Sequence, residues 1–347
     1  MPWWRRAHNY YPHPDIARNP RARQLHAIPV WEEHRNHRKS RHHKRRSSGY
    51  ASQWHKRSSL SHHYQHIDEL KKGGQSASIE RVQSVRSGKV RVIKRVTGKG
   101  RPAAELDALK RIPKGCHLNY MVEYTHPHRN EVFLVLEHCE AGDLKAVLKD
   151  SIHHGEEFRE GFIWKLLHDI GCALSFLHQG IRKADTRTHC KAGWDVMVHG
   201  DIKPHNIFLS WEGAEDGYPR MVLGDFGCTI TGEDVSSGRE SMTHHCHRTD
   251  DWKAPESFEV IVGTDTAVGR PTDVWQLGAV ATCLCRLMER PDRQAMFRNS
   301  NSHCGPWYSE RLNEMVGHCL RLDRHSRPRA IELVHSANER KRVWLRK

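Results

Sequence analysis

The apolar pattern of this chain changes period once, and that change restricts its fold more than any other feature. From Ile79 to Val96 β-branched residues dominate, broken at Ser87-Gly88-Lys89, which predicts two strands joined by a hairpin turn. Ala103–Arg111 predicts a short helix, and Glu131–Glu137 (Glu-Val-Phe-Leu-Val-Leu-Glu) a buried strand. After Gly142 the spacing becomes helical. Between Phe158 and His178 it places Phe162, Ile163, Leu166, Leu167, Ile170, Leu174 and Leu177 on one broad face. Pro271–Met288 predicts a second apolar helix, with Thr272 in its cap region. A small strand-rich half therefore precedes a larger helix-rich half, and a cleft between them is the natural ligand site.

Charge divides the chain differently. The sequence has 347 residues and a formal net charge of +15. Residues 1–66 hold 14 Lys/Arg against 3 Asp/Glu, so +11 of that charge lies there and only +4 on the remainder. This first segment mixes Pro, Arg, His, Ser and Trp with no sustained period. Such a composition buries too little apolar area to offset its ordering entropy, so a disordered tail over 1–66 is expected. Its densest part, Arg35–Arg46, carries seven Lys/Arg and three His, which suits an importin or a polyanion as well as a plain solvated arm. Order is expected from near Ile67 to residue 338, followed by a short basic end over 339–347.

No 7–15-residue apolar stretch of a secretory signal follows the N-terminus, and no apolar run reaches the length of a membrane span. The 10 cysteines fall between Cys116 and Cys319 without a Cys-x-x-Cys spacing, which favours reduced thiols in the cytoplasm or nucleus over a disulfide framework.

The strongest chemical signal is His199-Gly200-Asp201-Ile202-Lys203-Pro204-His205-Asn206. An Asp with an Asn five residues on, separated by a turn-forming Pro, can aim a carboxylate and an amide at one point. Phosphoryl transfer uses that set: a carboxylate for the attacking hydroxyl, an oxygen ligand for Mg²⁺, and a cation for the phosphoryl oxygens. Asp201, Asn206 and Lys203 supply the three. Asp225-Phe226-Gly227 follows 19 residues after Asn206, at the end of the apolar Met221-Val222-Leu223, and reads as a second metal carboxylate.

These two segments resemble the catalytic loop and Mg²⁺-binding motif of protein kinases, and the resemblance extends over about 270 residues in the family's order. Lys94 resembles the strand lysine that contacts the ATP phosphates, and Glu105 its ion-pair partner on the regulatory helix. Glu137-His138-Cys139 resembles the hinge whose backbone holds adenine, with Leu136 at the back of the pocket and Asp143 near the ribose. Ala254-Pro255-Glu256 resembles the end of the activation segment, and Asp273-Val274-Trp275-Gln276-Leu277-Gly278 the buried helix that anchors the catalytic loop. Arg327 resembles the arginine that pairs with Glu256. Lys203 and Thr249 resemble the serine/threonine branch, with a mitotic-kinase-like and fungal flavour. The resemblance implies an α+β bilobal kinase fold over 67–338, with an N-lobe over 67–137, a hinge over 137–142 and a C-lobe over 143–338. It further implies ATP and Mg²⁺ as cofactors and a protein substrate with a Ser or Thr acceptor. Oligomeric state is left open.

Two departures alter the expectation. Counting back from Lys94 puts the glycine-rich phosphate loop on Lys72, Gly74, Ala77 and Ile79, with Gly73 serving if the register shifts by one. A lysine cannot replace a glycine that lets backbone approach phosphate, so altered nucleotide binding is expected. The family's usual Arg before the catalytic Asp is Gly200. That Arg neutralises an activation-loop phosphate, so constitutive activity or control by partners is expected, although Thr229, Thr231, Ser236, Ser237, Ser241 and Thr243 could be modified.

The remaining features are weaker. Residues 180–197 suggest a surface loop. His244-His245-Cys246-His247 is too crowded for four tetrahedral ligands. Cys228 reads as a quiet small residue or a reactive thiol, and Cys283 and Cys285 as core. Two other readings stand beside the kinase: a pseudokinase scaffold, favoured by the poor phosphate loop, and a small-molecule phosphotransferase. The latter class shares His-Gly-Asp but lacks the Ala-Pro-Glu and Asp-Val-Trp-x-Leu-Gly segments.

Overall fold

The alternation predicted around Lys94 sends neighbouring side chains to opposite faces of a sheet, and both faces are used. In the computed structural model, residues 59–72, 76–98, 101–128, 130–184, 190–215, 217–233, 250–257, 268–297 and 302–345 are described. The first half forms β1 (Tyr64–Lys72), β2 (Ser76–Ser84), β3 (Val90–Thr97), helix α1 (Arg101–Arg111), β4 (Met121–His128) and β5 (Glu131–Glu137). The five strands make one antiparallel sheet in the order β1-β2-β3-β5-β4. Gly88, at φ 67°, makes the β2–β3 turn, and its N–H donates to the Ser84 carbonyl at 2.8 Å.

Ile93 pairs with Val135, and Lys94 with Leu134. One face therefore carries Ile93, Phe133, Val135 and Val82, buried together with Leu60 and Tyr64. Leu60 lies in a single 3-10 turn (Ser59–His62), and the phenol of Tyr64 donates to Glu123. Both residues lie before the boundary expected at Ile67. Folded structure begins by residue 59 because the sheet's outer face needs an apolar cover that the strands lack. The other face carries Lys94 and, directly paired with it, Ile79.

The second half contains α2 (Leu144–His154), α3 (Glu160–Gln179), the short strands β6 (Met197–Val198) and β9 (Ile230–Thr231), and the hairpin of β7 (Ile207–Glu215) with β8 (Tyr218–Leu223). Helices α4 (Arg270–Cys285), α5 (Arg293–Met296), α6 (Glu310–Cys319) and α7 (Ala330–Leu345) complete it. The architecture is the bilobal α+β arrangement expected. Helix α3 is buried on nearly every side, more than its one apolar stripe indicated, because α4, α7 and β8 all pack on it. It ends at Gly180, whose φ of 69° and close approach to the Trp194 ring (2.7 Å from where a Cβ would stand) both require glycine. Helix α4 stops at Cys285, short of Met288, where Leu287 turns left-handed at φ 52°.

Two expectations change. Within 180–197, Trp194 is folded back onto α3: its indole N–H donates to the Leu177 carbonyl at 2.9 Å and its ring meets Phe176 at 5.0 Å. Among the described residues eight cysteines are reduced thiols, Cys283 and Cys285 among them in the core, whereas Cys228 is disulfide-bonded. No described helix is long and apolar enough to cross a membrane. The basic run Arg35–Arg46, Gly73, Gly74, Ser236, Ser237, Ser241, Thr243, the His244–His247 cluster and Thr249 lie outside the described residues.

Candidate active site

Three elements meet at Lys94. Its ammonium, on β3, lies 2.7 Å from Glu105 Oε1 on α1 and 2.7 Å from Asp225 Oδ1. Lys94 and Glu105 are buried, while the Asp225 side chain is 45% exposed and so open to a ligand. Burial disfavours the Lys94 charge, but Glu105 and Asp225 more than offset it and raise its pKa. Burial pushes the Asp225 carboxyl up, and Lys94 more than reverses this, taking it to about 2. Burial holds Glu105 above the usual carboxylate value despite Lys94. Asp225 has φ 65° and ψ 76°, a left-handed conformation that Asp tolerates better than most residues. Phe226 beside it is buried against the His199 ring at 5.4 Å.

The second group is the loop after β6. Lys203 Nζ lies 2.6 Å from Asp201 Oδ2, and Asn206 Nδ2 donates to the same oxygen at 3.1 Å and to the Asp201 carbonyl at 2.8 Å. Asp201 Oδ1 is buried with no hydrogen-bond partner among the described residues. The Gly224 N–H donates to the Asn206 carbonyl at 2.9 Å, joining this loop to the turn that carries Asp225. That bond and the His199–Phe226 contact at 5.4 Å join the two groups into one site.

Helix α4 holds the loop from below. Asp273, with no exposure, accepts the His199 N–H at 2.9 Å and the Gly200 N–H at 2.7 Å, and its Oδ2 lies 2.9 Å from His178 Nε2. One turn on, Gln276 Oε1 accepts the Ile202 N–H at 3.0 Å, while its amide donates to the Gly200 and Trp252 carbonyls. Sequence reasoning gave Gln276 no such part and did not mark His178. Gln276 lies inside the Asp273–Gly278 motif, and His178 is the penultimate residue of an apolar helix; neither position signals a partner. Arg327 clamps Glu256 with two hydrogen bonds of 2.8 Å, and Thr272 donates to Glu256 Oε1 at 2.8 Å. The pairing expected of Arg327 is present.

At the segment expected as the hinge, the Glu137 N–H donates to the Tyr120 carbonyl, and its carboxylate is held by Arg220 at 2.6 Å. The Cys139 N–H makes no hydrogen bond among the described residues, its carbonyl accepts from the Gly142 N–H, and burial pushes its thiol pKa up. Asp143 caps α2, with Oδ1 accepting the Ala146 N–H at 2.8 Å, so part of that carboxylate is committed to the helix. Thr229, expected as a possible modification site, is only 6% exposed.

Comparison with known proteins agrees with this geometry. A protein kinase domain family matches residues 64–337. Among curated proteins, the chain is 26% identical over 213 residues to the human serine/threonine-protein kinase Nek2, covering 59% of this chain and 42% of Nek2. It is 24% identical over 242 residues to the G2-specific protein kinase nimA of Emericella nidulans, covering 63% of this chain and 32% of that protein. Similarity to mouse Myosin-IIIa is 26% over 217 residues, covering 59% of this chain and 12% of the myosin. The chain thus spans less than half the length of each of these relatives. The match over residues 64–337, with the fold and the site in the family's order, places the chain in the protein kinase family.

Proposed function

We propose that this protein transfers the γ-phosphate of ATP to Ser or Thr hydroxyls of protein substrates, with Asp201 as the group that accepts or orients the hydroxyl proton. The observation that carries this reading is the unpartnered Oδ1 of buried Asp201, beside an Oδ2 already held by Lys203 and Asn206. A buried acceptor is costly to leave unmet, and a substrate hydroxyl would meet it.

The donor set suits a hard divalent cation. Because Asn206 commits its Nδ2 to Asp201, its amide oxygen is left for a metal, and Asp225 keeps one oxygen beyond that held by Lys94. Mg²⁺ bound there would neutralise charge on the ATP phosphates, which would supply the rest of its shell together with water. Lys94, steadied by Glu105, would hold the phosphates together with Gly73 and Gly74, with Ile79 above the nucleotide. The Cys139 N–H and the Glu137 carbonyl would receive adenine, and the free oxygen of Asp143 the ribose. That carbonyl already accepts from Asn119 Nδ2 at 3.2 Å, which leaves one lone pair. Lys203 would offset charge developing on the transferred group.

The test is transfer of labelled γ-phosphate from MgATP to a mixed Ser/Thr peptide library, with Asp201→Ala as control. Transfer lost in the variant supports the proposal. No transfer by either protein, with no ATP binding, would instead indicate a scaffold.

A further inference from the structure

The end of α1 is tied to the C-lobe by a contact that none of the site chemistry uses. Arg111 lies six residues after Glu105 on α1, roughly 9 Å along the helix axis. Its Nη1 is 2.8 Å from Asp195 Oδ2, and its Nη2 donates to the Asp195 carbonyl. The guanidinium also covers the Trp194 ring at 5.3 Å. Trp194 is fixed in turn by Phe176 and the Leu177 carbonyl, so the contact rests on the largely buried helix α3.

Asp195 serves a second element with its other oxygen. Oδ1 accepts the Glu233 N–H at 3.0 Å, just after β9, the strand that follows Asp225-Phe226-Gly227. The Gly232 N–H donates to the Val196 carbonyl at 3.0 Å, extending the β6–β9 pairing of Met197 with Thr231 and Val198 with Ile230. A Cβ on Gly232 would stand 2.6 Å from Asp195 Oδ1, so glycine is what allows the carboxylate this close. One carboxylate therefore holds the end of the helix that carries Glu105 and the start of the segment that leaves Asp225.

We propose that Asp195 and Arg111 form a positioning pair that keeps α1 in the orientation where Glu105 meets Lys94, and registers that helix with the residues following Asp225. The proposal rests on the phosphotransfer reading for its effect on rate, while the tether itself is physical and can be read without catalysis. Neither residue touches the reacting groups. Their contribution is to the population of the assembled site.

The test uses the full chain with Arg111→Gln, Arg111→Lys, Asp195→Asn, Asp195→Ala and the double variant Arg111→Gln/Asp195→Asn. Hydrogen exchange is followed without nucleotide, and kcat and KM are measured for MgATP and peptide. Exchange in residues 101–111 is expected to quicken roughly tenfold in R111Q and D195N, with kcat lower by a similar factor and the peptide KM unchanged. The double variant should be no worse than either single one, and R111K should recover part of the loss. D195A should extend the faster exchange to residues 230–233, whereas the amide oxygen of D195N can still accept the Glu233 N–H. Exchange in α4 serves as the internal control for general loosening. Unchanged exchange in α1, an equal rise in α4, or additive single effects would overturn the proposal. If Asp201→Ala transfers phosphate as well as the unaltered chain, the phosphotransfer reading fails, and exchange still decides the tether. Should D195N or D195A fail to fold, R111Q and R111K probe the same contact from the other side.

Discussion

Asp273 Oδ1 accepts the Gly200 N–H at 2.7 Å, so the residue before the proposed catalytic carboxylate is held through its backbone by a fully buried side chain. Its Oδ2 accepts the His199 N–H and lies against His178. Removing this acceptor leaves two N–H groups buried without partners. Asp273→Ala is therefore expected to cost roughly 3–5 kcal/mol of stability, measured by urea unfolding. A loss below about 1 kcal/mol would mean that water or a rearranged loop replaces the anchor.

Gly200 has φ 74°, where an L side chain is strained. Gly200→Ala should cost about 1–2 kcal/mol with no change in hydrogen bonding. A glycine at this position also leaves no cation just before Asp201 to receive a phosphate on the segment that follows Asp225. Phosphatase treatment of the purified protein is therefore expected to leave its transfer rate unchanged. Abolition of activity would count against control without phosphate.

The strands, the long helices and the motif residues were legible because each leaves a local mark: a period of two, a period of 3.6, or a polar group at fixed spacing. Lys94, Glu105 and Asp225 do converge, as do Asp201, Lys203 and Asn206. What escaped were contacts between segments distant in sequence. Leu60 covers the sheet from a basic, polar stretch that looked unable to fold, because one leucine and one tyrosine do not make a period. Arg111 and Asp195 are two ordinary charges 84 positions apart, and nothing in either neighbourhood names the other. Asp143 was expected at the ribose, yet its capping role follows from its place before α2, a signal that was available in the spacing of Asp143 and Leu144.

Asp169 gives a pH dependence whose sign can be worked out. It is fully buried on α3 and accepts the Met221 N–H at 2.9 Å, with Lys165 Nζ 2.8 and 2.9 Å from its two oxygens and His168 Nδ1 2.9 Å from one. Burial pushes its carboxyl up, but His117, the His168 hydrogen bond and Lys165 more than offset this and hold it below the usual value. His117 is itself depressed by burial, so above about pH 6.5 Lys165 and His168 are the partners that count. A depressed carboxyl stabilises the fold fully above its unfolded pKa of about 3.9, and that contribution is lost as pH falls through the folded value. Unfolding free energies should show Asp169→Asn less stable by roughly 3–5 kcal/mol at pH 7. The gap should narrow as pH is lowered below about 4. A gap that stays constant down to pH 3 would exclude Asp169 as the source of acid sensitivity.

The cover on the sheet yields the last prediction. Leu60 is 1% exposed and packs with Tyr64, Val82, Ile93, Phe133 and Val135. Truncating it to Ala leaves a cavity on the face opposite Lys94, at a cost of about 2–5 kcal/mol. A chain begun at residue 67, the boundary the composition suggested, would lose Leu60 and Tyr64 together and expose Val82 and Ile93 to water. That shortened chain should melt well below one begun at residue 59, and hydrogen exchange in β2 and β3 should rise before exchange in α3 or α4. The order matters, because the buried helices pack on one another, whereas Leu60 clusters with residues of the sheet. Equal melting temperatures for the two chains would show that the sheet does not need this cover.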